Sequence, residues 1–362
     1  MEEFSLMKGN EVIAEAAIRC GCDGYFGYPI TPQSEIMETL MAQKPWETTG
    51  MVVLQAESEV AAINMVYGGA GCGKRVMTSS SGPGISLMQE GISYIAGAEL
   101  PCLIVNVSRG GPGLGTIQPA QSDYFQSVRG GGHGDYKMIV LAPAYVQEMH
   151  DFVELGFDLA FKYRNPVMIL TDGVIGQMME KVKLSPIRPR WTDEEVEQIS
   201  GSWATIGKHP GRQGQPVTSL ELDCAEQERF NHKLTAKYNA MKANEVRYET
   251  VQCDDADYIL VAYGSSSRIC RKAIELGRKK GIRVGMVRLI TLFPFPTEII
   301  REFSHSKKGF LAVEMSAGQM VQDVQLAVCE RVPVEHYGRL GGMIATPNEV
   351  IEALEQKIIN SK

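Results

Sequence analysis

Gly24-Tyr25-Phe26-Gly27-Tyr28-Pro29-Ile30-Thr31-Pro32-Gln33-Ser34 is the stretch that decides the architecture. A short glycine-bounded β run, Gly24 to Gly27, ends in a proline-punctuated turn and feeds a helical pattern over Ser34 to Gln43. A strand followed at once by a loop and a helix is half of a βαβ unit. The same order repeats outward to about residue 185. β runs are expected at Met51 to Gln55, Arg75 to Ser79, Leu103 to Ser108, Met138 to Leu141 and Val167 to Thr171. Helical patterns lie between them at Glu59 to Gly68, Ile85 to Gly97 and Ala144 to Tyr163. The alternation predicts a parallel sheet wrapped by helices.

Residues 1–185 are therefore read as one α/β domain. Residues 186–250 are rich in charge, Pro and Gly, and carry Trp191, Trp203 and a polar helical pattern over Glu226 to Arg247. They read as a linker or arm, of a kind that can wrap a partner. From 251 to 362 the alternation resumes in a smaller α/β domain. Strands are expected there at Tyr258 to Ala262, Arg283 to Leu289, Gly309 to Val313 and Val334 to Tyr337. Helices are expected at Ser267 to Lys280, Pro296 to Phe303, Met320 to Glu330 and Pro347 to Ile359.

With 362 residues, 44% of them hydrophobic and 22% charged, the chain can bury large cores. Its net charge of −7 disfavours nucleic acid as a partner. No apolar run is long enough to span a membrane, and Met1-Glu2-Glu3-Phe4 does not open a secretory signal, so a cytoplasmic protein is expected. The eight cysteines are scattered without a Cys-x-x-Cys, and read as small buried hydrophobes of a reduced protein.

In an open parallel sheet, ligands sit beyond the carboxyl ends of the strands. Four informative segments fall there: Tyr28-Pro29-Ile30-Thr31-Pro32, Ala56-Glu57-Ser58-Glu59, Ser79-Ser80-Ser81-Gly82-Pro83-Gly84, and Ser108-Arg109-Gly110-Gly111-Pro112-Gly113. A hydroxyl, an acid, a Gly-Pro-Gly turn and an arginine thus share one rim. Each has a plainer reading. Thr31 before Pro32 can cap a helix with Pro at its first position. Glu59 can simply face a helix dipole, the turn can be only a turn, and Arg109 can pair with any carboxylate. Gly68 to Lys74 has phosphate-loop spacing, but Arg75 stands where Ser or Thr is needed, and the segment follows a helix. Gly110 to Gly115 lacks the dinucleotide order, which argues against a nicotinamide dehydrogenase.

Taken together, these segments resemble the alpha-type, pyrimidine-domain subunit of 2-oxoacid:ferredoxin oxidoreductases, over nearly the whole chain. Ala262-Tyr263-Gly264-Ser265 and Glu314-Met315-Ser316-Ala317-Gly318-Gln319 resemble that family's second, transketolase-C-like domain. The resemblance implies a thiamine diphosphate site shared with a partner subunit. Glu59 matches the acid that contacts N1′ of the cofactor's aminopyrimidine, with Pro29, Ile30, Ser81 and Gly82 beside the cofactor. Thr31 and Arg109 match groups that hold the 2-oxoacid, Arg109 facing its carboxylate.

The chain lacks the Gly-Asp-Gly motif that holds magnesium and the diphosphate; Thr171-Asp172-Gly173 and Gly134-Asp135-Tyr136 do not fit it. Magnesium and the iron–sulfur clusters are accordingly expected on partner chains: a beta-type subunit, a ferredoxin-like iron–sulfur subunit and a gamma-type subunit. The implied reaction is oxidative decarboxylation of a 2-oxoacid with coenzyme A, reducing ferredoxin. Gly113 to Gln126 and Gly130 to Tyr136 look most like the branched-chain, 2-oxoisovalerate type, with 2-oxoglutarate as the alternative. Leu114, Ile117, Tyr124 and Phe125 are read as an apolar pocket, and His133 as a possible substrate contact. A non-catalytic scaffold subunit is the rival reading, and it makes Glu59 and Arg109 expendable.

Overall fold

The computed structural model of the protein describes residues 3–207 and 214–361; Met1, Glu2, Lys362 and residues 208–213 of the interdomain stretch lie outside the described residues. The central strands show why a parallel sheet forms. Cys102–Ser108 and Pro166–Asp172 are buried end to end, and runs such as Leu103-Ile104-Val105 and Val167-Met168-Ile169-Leu170 suit strands covered on both faces. Across the seven-stranded sheet the order is Thr291–Phe293, Ile139–Leu141, Pro166–Asp172, Cys102–Ser108, Val76–Ser80, Gly24–Gly27, Val52–Gln55. All neighbours are parallel except Thr291–Phe293, which runs antiparallel to Ile139–Leu141.

The second sheet has five strands in the order Val334–Gly338, Gly309–Glu314, Tyr258–Tyr263, Val284–Leu289, Tyr248–Val251, the last antiparallel to its neighbour. A third, two-stranded ribbon pairs Glu3–Lys8 with Met179–Leu184. No helix among the described residues is long and apolar enough to cross a membrane.

Two features of the chain's organisation differ from the sequence reading. The edge strand Thr291–Phe293 comes from the second α/β stretch yet completes the first sheet, so the two units share a seam. Much of the described part of residues 186–250 packs on the chain's own first domain, while Tyr248–Val251 at its end joins the second sheet. Trp191 sits edge-on to Phe161 at 4.8 Å and under the Arg75 guanidinium at 3.8 Å. The stretch also carries the helices Asp193–Ser200 and Cys224–Asn244. The second starts two residues before the expected Glu226 because the Asp223 carboxylate accepts from the backbone N–H groups of Ala225 and Glu226.

That helix is fastened by a buried ion pair. Lys237 lies 2.8 Å from Glu99, both side chains nearly sealed from solvent, and Lys233 reaches the same carboxylate. Burial pushes the Glu99 carboxyl up, but the hydrogen bonds of Lys233 and Lys237 outweigh it and hold the group below its ordinary range. A depressed carboxyl stabilises the fold fully above its unfolded value, and that stabilisation is lost as pH falls through the folded value. Glu99→Ala is expected to cost about 3–5 kcal/mol in urea denaturation at neutral pH, because Lys237 is left buried and unpaired. It should also flatten the loss of stability on the acid side of the ordinary carboxylate range.

Candidate active site at the carboxyl rim of the first sheet

The loop after Gly24–Gly27 is built on Gln33, which is fully buried. Its Nε2 donates to the Tyr28 carbonyl at 3.0 Å, and its Oε1 accepts from Ser79 Oγ at 2.6 Å. Ser79 Oγ in turn lies 2.7 Å from the Tyr25 hydroxyl, which burial pushes up to about 12. The loop is thereby tied to strand Val76–Ser80. The capping role for Thr31 is overturned. The Thr31–Pro32 bond is cis, and the helix Ser34–Gln43 starts after Gln33 without a side-chain cap. Thr31 is exposed, and its backbone carbonyl accepts from Arg109 Nη1 at 2.8 Å. Pro29 is exposed and Ile30 half-buried on the same loop.

Glu59 is the first residue of the helix Glu59–Gly71, whose cap is Ser58, with Oγ accepting from Ala61 N–H at 3.2 Å. Its carboxylate is buried, only 6% exposed, against the Gly82-Pro83-Gly84 turn. A Cβ on Gly84 would lie 2.6 Å from Glu59 Oε1 and 2.1 Å from Ser80 Oγ, so only glycine lets this acid and hydroxyl converge there. At the other end of the turn, Gly82 adopts φ +46° and lies against the Arg109 stem. The turn therefore separates an acid from an arginine by two residues of backbone. Glu57, in the same motif, is exposed.

Arg109 is 8% exposed, and no carboxylate lies within ion-pair distance of it among the described residues. Its Nη1 and Nη2 donate to the carbonyls of Thr31 and Leu114, and its Nε has no partner. A buried cation held by two neutral carbonyls, with no carboxylate in direct contact, suits an anionic ligand. The loop that carries it closes on itself through Gly110 N–H to Gln118 O at 3.0 Å and Thr116 N–H to Gly110 O at 2.7 Å. Asp123 was not singled out in the sequence. It accepts from Asn106 Nδ2 at 3.0 Å; burial pushes its carboxyl up, and Asn106, Ser108 and Arg109 offset only part of that.

The second domain braces this loop. Gln121 Nε2 donates to Tyr263 O at 2.9 Å, while its Oε1 accepts from Ser266 Oγ at 2.6 Å and Met315 N–H at 3.0 Å. Gln319 donates to Ser122 O at 2.6 Å and accepts from Phe125 N–H at 2.7 Å. The Glu314 carboxylate folds the turn that presents Gln319, accepting from the N–H groups of Gln319, Met320 and Val321. Asp172 is occupied likewise, capping Val174 and accepting from Ser265 Oγ at 2.7 Å.

Three expected site groups lie elsewhere. Tyr124 is buried and donates to Asp323 at 2.7 Å, so its side chain faces the second domain, and the Phe125 ring lies under the Arg129 guanidinium at 5.5 Å. The His133 carbonyl accepts from Ser93 Oγ at 2.5 Å. Ser93 is ten residues along the helix Pro83–Gly97 from its first residue, about 15 Å from the turn.

The wall between Glu59 and Arg109 contains unmet hydrogen-bonding capacity. Thr78 Oγ1, Ser80 Oγ, Ser81 Oγ and Arg109 Nε are buried without partners. Buried polar atoms are rarely left so, and a polar aromatic heterocycle beside an anion would answer them. Residues 15–242 match the family described as "Pyruvate flavodoxin/ferredoxin oxidoreductase, thiamine diP-bdg". The chain belongs to that family. Residues 256–350 match pyruvate:ferredoxin oxidoreductase core domain II. Among relatives of this oxidoreductase chain, the ketoisovalerate oxidoreductase subunit VorB of Methanothermobacter thermautotrophicus is 51% identical over 97% of each chain. The 2-oxoglutarate synthase subunit KorA of Archaeoglobus fulgidus is 37% identical over 98% of this chain and 100% of its own. A solved 2-oxoglutarate:ferredoxin oxidoreductase from Magnetococcus marinus superposes with a TM-score of 0.84 at 26% identity, covering 98% of this chain and 65% of that one. A split-gene transketolase, at a TM-score of 0.61 and 14% identity, shares the fold alone.

Proposed function

We propose that this chain is the pyrimidine-side subunit of a branched-chain 2-oxoacid:ferredoxin oxidoreductase. With partner subunits in the cytoplasm, it serves the conversion of 2-oxoisovalerate and coenzyme A to acyl-CoA, carbon dioxide and reduced ferredoxin. The observation that carries the reading is the Gly82–Gly84 turn, with a buried acid at one end and a buried arginine held by two carbonyls at the other. The unmet polar atoms along that wall fit thiamine diphosphate. Bound there, the cofactor supplies the carbon nucleophile that the ketone of a 2-oxoacid requires.

The residues of this chain do the rest. Glu59 holds a proton at the aminopyrimidine N1′, a role that needs a carboxyl group rather than any hydrogen-bonding side chain. Ser81, Gly82, Pro29 and Ile30 flank the cofactor. Arg109 binds the substrate carboxylate, and Thr31 shapes that pocket by anchoring Arg109. Magnesium, the diphosphate-binding loop and the iron–sulfur clusters belong to the beta-type, ferredoxin-like and gamma-type partners, so the chain alone has no turnover.

The branched-chain choice is supported by the 51% identical VorB relative and by the surroundings of Arg109. Leu114 and Ile117 are exposed on its loop, and a second-domain loop bearing Leu340, Met343 and Ile344 abuts it at Gly342. Arg129, the nearest cation downstream of the Arg109 loop, is paired with Asp323 at 2.7 Å. In a viologen-coupled assay of the assembled complex, kcat/KM for 2-oxoisovalerate should exceed that for 2-oxoglutarate by at least about tenfold, since a second carboxylate would stay unpaired. A preference for 2-oxoglutarate would transfer the assignment to that acid.

A further inference from the structure

A cavity of about 710 Å³ opens between the two domains, on the side away from the site described above. It lies at the amino end of strand Ile139–Leu141, which Lys137 precedes by two residues, and where Phe293 pairs with Val140. The candidate active site uses the carboxyl ends of the same sheet. Three cations face the cavity: Arg129, Lys137 and Lys242. Its acids are largely spent. Asp323 is held by Arg129 at 2.7 Å and by the Tyr124 hydroxyl at 2.7 Å, and Glu298 by Arg301 at 2.8 Å.

Among the described residues, no carboxylate lies within ion-pair distance of Lys137 or Lys242. The Lys137 ammonium finds only the Arg129 carbonyl, at 3.4 Å. Burial, then the charges of Arg129 and Lys242, push this half-buried lysine below its ordinary pKa, and Asp135 and Asp323 offset only part of that. Arg129 has Asp323 as its counterion, but Lys137 and Lys242 share the space without one within ion-pair distance among the described residues. The facing wall is aromatic, with Phe293 buried, Phe295 half-buried and Tyr248 exposed.

A bare inorganic anion would answer the lysines and leave the aromatic wall wet. The volume also falls in the range that holds a drug-sized ligand, about 300–1,000 Å³. We propose that this interdomain cavity binds an organic phosphate of nucleotide size. Its phosphate lies between Lys137 and Lys242, and its flat or apolar part lies against Phe293, Phe295 and Tyr248. Lys137 comes from the first domain, Lys242 from the interdomain helix and the two phenylalanines from the second α/β stretch, so the ligand clamps three parts of the chain together.

The test is calorimetry on the full chain with ADP, coenzyme A and inorganic phosphate as probes, repeated on the assembled complex. At least one organic phosphate should bind about tenfold or more tightly than inorganic phosphate. Lys242→Ala and Lys137→Gln should each weaken it about tenfold, the scale of one charge-assisted contact. Lys242 is exposed, so its variant keeps the fold, and turnover of the complex should be unchanged by it. Equal binding of inorganic phosphate overturns the proposal, as does the absence of binding by all three probes. Coenzyme A that enters only the catalytic site would survive both substitutions, and that result also counts against the cavity. So does binding by the free chain that vanishes in the complex.

Discussion

Glu59→Gln leaves the assembled complex intact and removes most of its turnover, by about 10²–10⁴-fold. Gln has the size of Glu, and the helix start it would occupy is capped by Ser58, not by Glu59 itself. The Gly84 gap that admits Glu59 Oε1 admits an amide equally well. What the substitution removes is the exchangeable carboxyl proton. The direct measurement is deuterium exchange at the thiazolium carbon of the cofactor in the assembled complex, with subunit composition checked by gel filtration. Exchange that persists at the wild-type rate would take Glu59 out of the mechanism and leave the chain as a scaffold.

Arg109→Lys should lower kcat/KM between about 10- and 150-fold, the equivalent of about 1.5–3 kcal/mol for a lost charge-assisted contact. The loss should be shared by every 2-oxoacid tested. The guanidinium holds two carbonyls on different loops, Thr31 and Leu114, and still presents an unpartnered Nε. An ammonium on a flexible stem cannot do all three at once. The carboxylate is common to all 2-oxoacids, so the ratio of kcat/KM for 2-oxoisovalerate and 2-oxoglutarate should stay put. A change in that ratio would mean that Arg109 reads the other end of the substrate.

Much of this site was legible because strand ends are easy to find. The Gly82–Gly84 turn and Arg109 lie at the carboxyl ends of the buried strands Val76–Ser80 and Cys102–Ser108, and Glu59 lies beyond the short exposed strand Val52–Gln55, which the Val52-Val53-Leu54 run still marks. Two other strands left no comparable signal. Thr291–Phe293 is three residues long, and Met179–Leu184 alternates with exposed charges. Side-chain direction was harder still. Tyr124 and Phe125 follow Arg109 closely in sequence but begin a helix, Tyr124–Arg129, that turns Tyr124 onto the second domain and sets the Phe125 ring beside Arg129. Gln33 and Gln121 organise the rim, yet a carboxamide has no motif. Its importance comes from being buried with every polar atom matched, which only the assembled fold reveals. The interdomain stretch looked like a free arm because its polar helix buries little of its own, and its attachment rests on ion pairs such as Glu99 with Lys237.

The span of the Gln121 contacts also fixes an order of events during synthesis. Its partners are 142, 145 and 194 residues further along. On the ribosome, the strands of the first sheet can begin to associate while Tyr263, Ser266 and Met315 are still untranslated. Until Tyr263 and Ser266 arrive, the Gln121 carboxamide has none of its native partners, and the loop bearing Arg109 is tied only to first-domain groups such as the Thr31 carbonyl. Contacts of such long sequence separation form late. The candidate rim, written in the first third of the chain, is therefore among the last parts of the molecule to set, and a nascent chain stalled before residue 263 would carry the arginine without the second-domain frame that braces its loop.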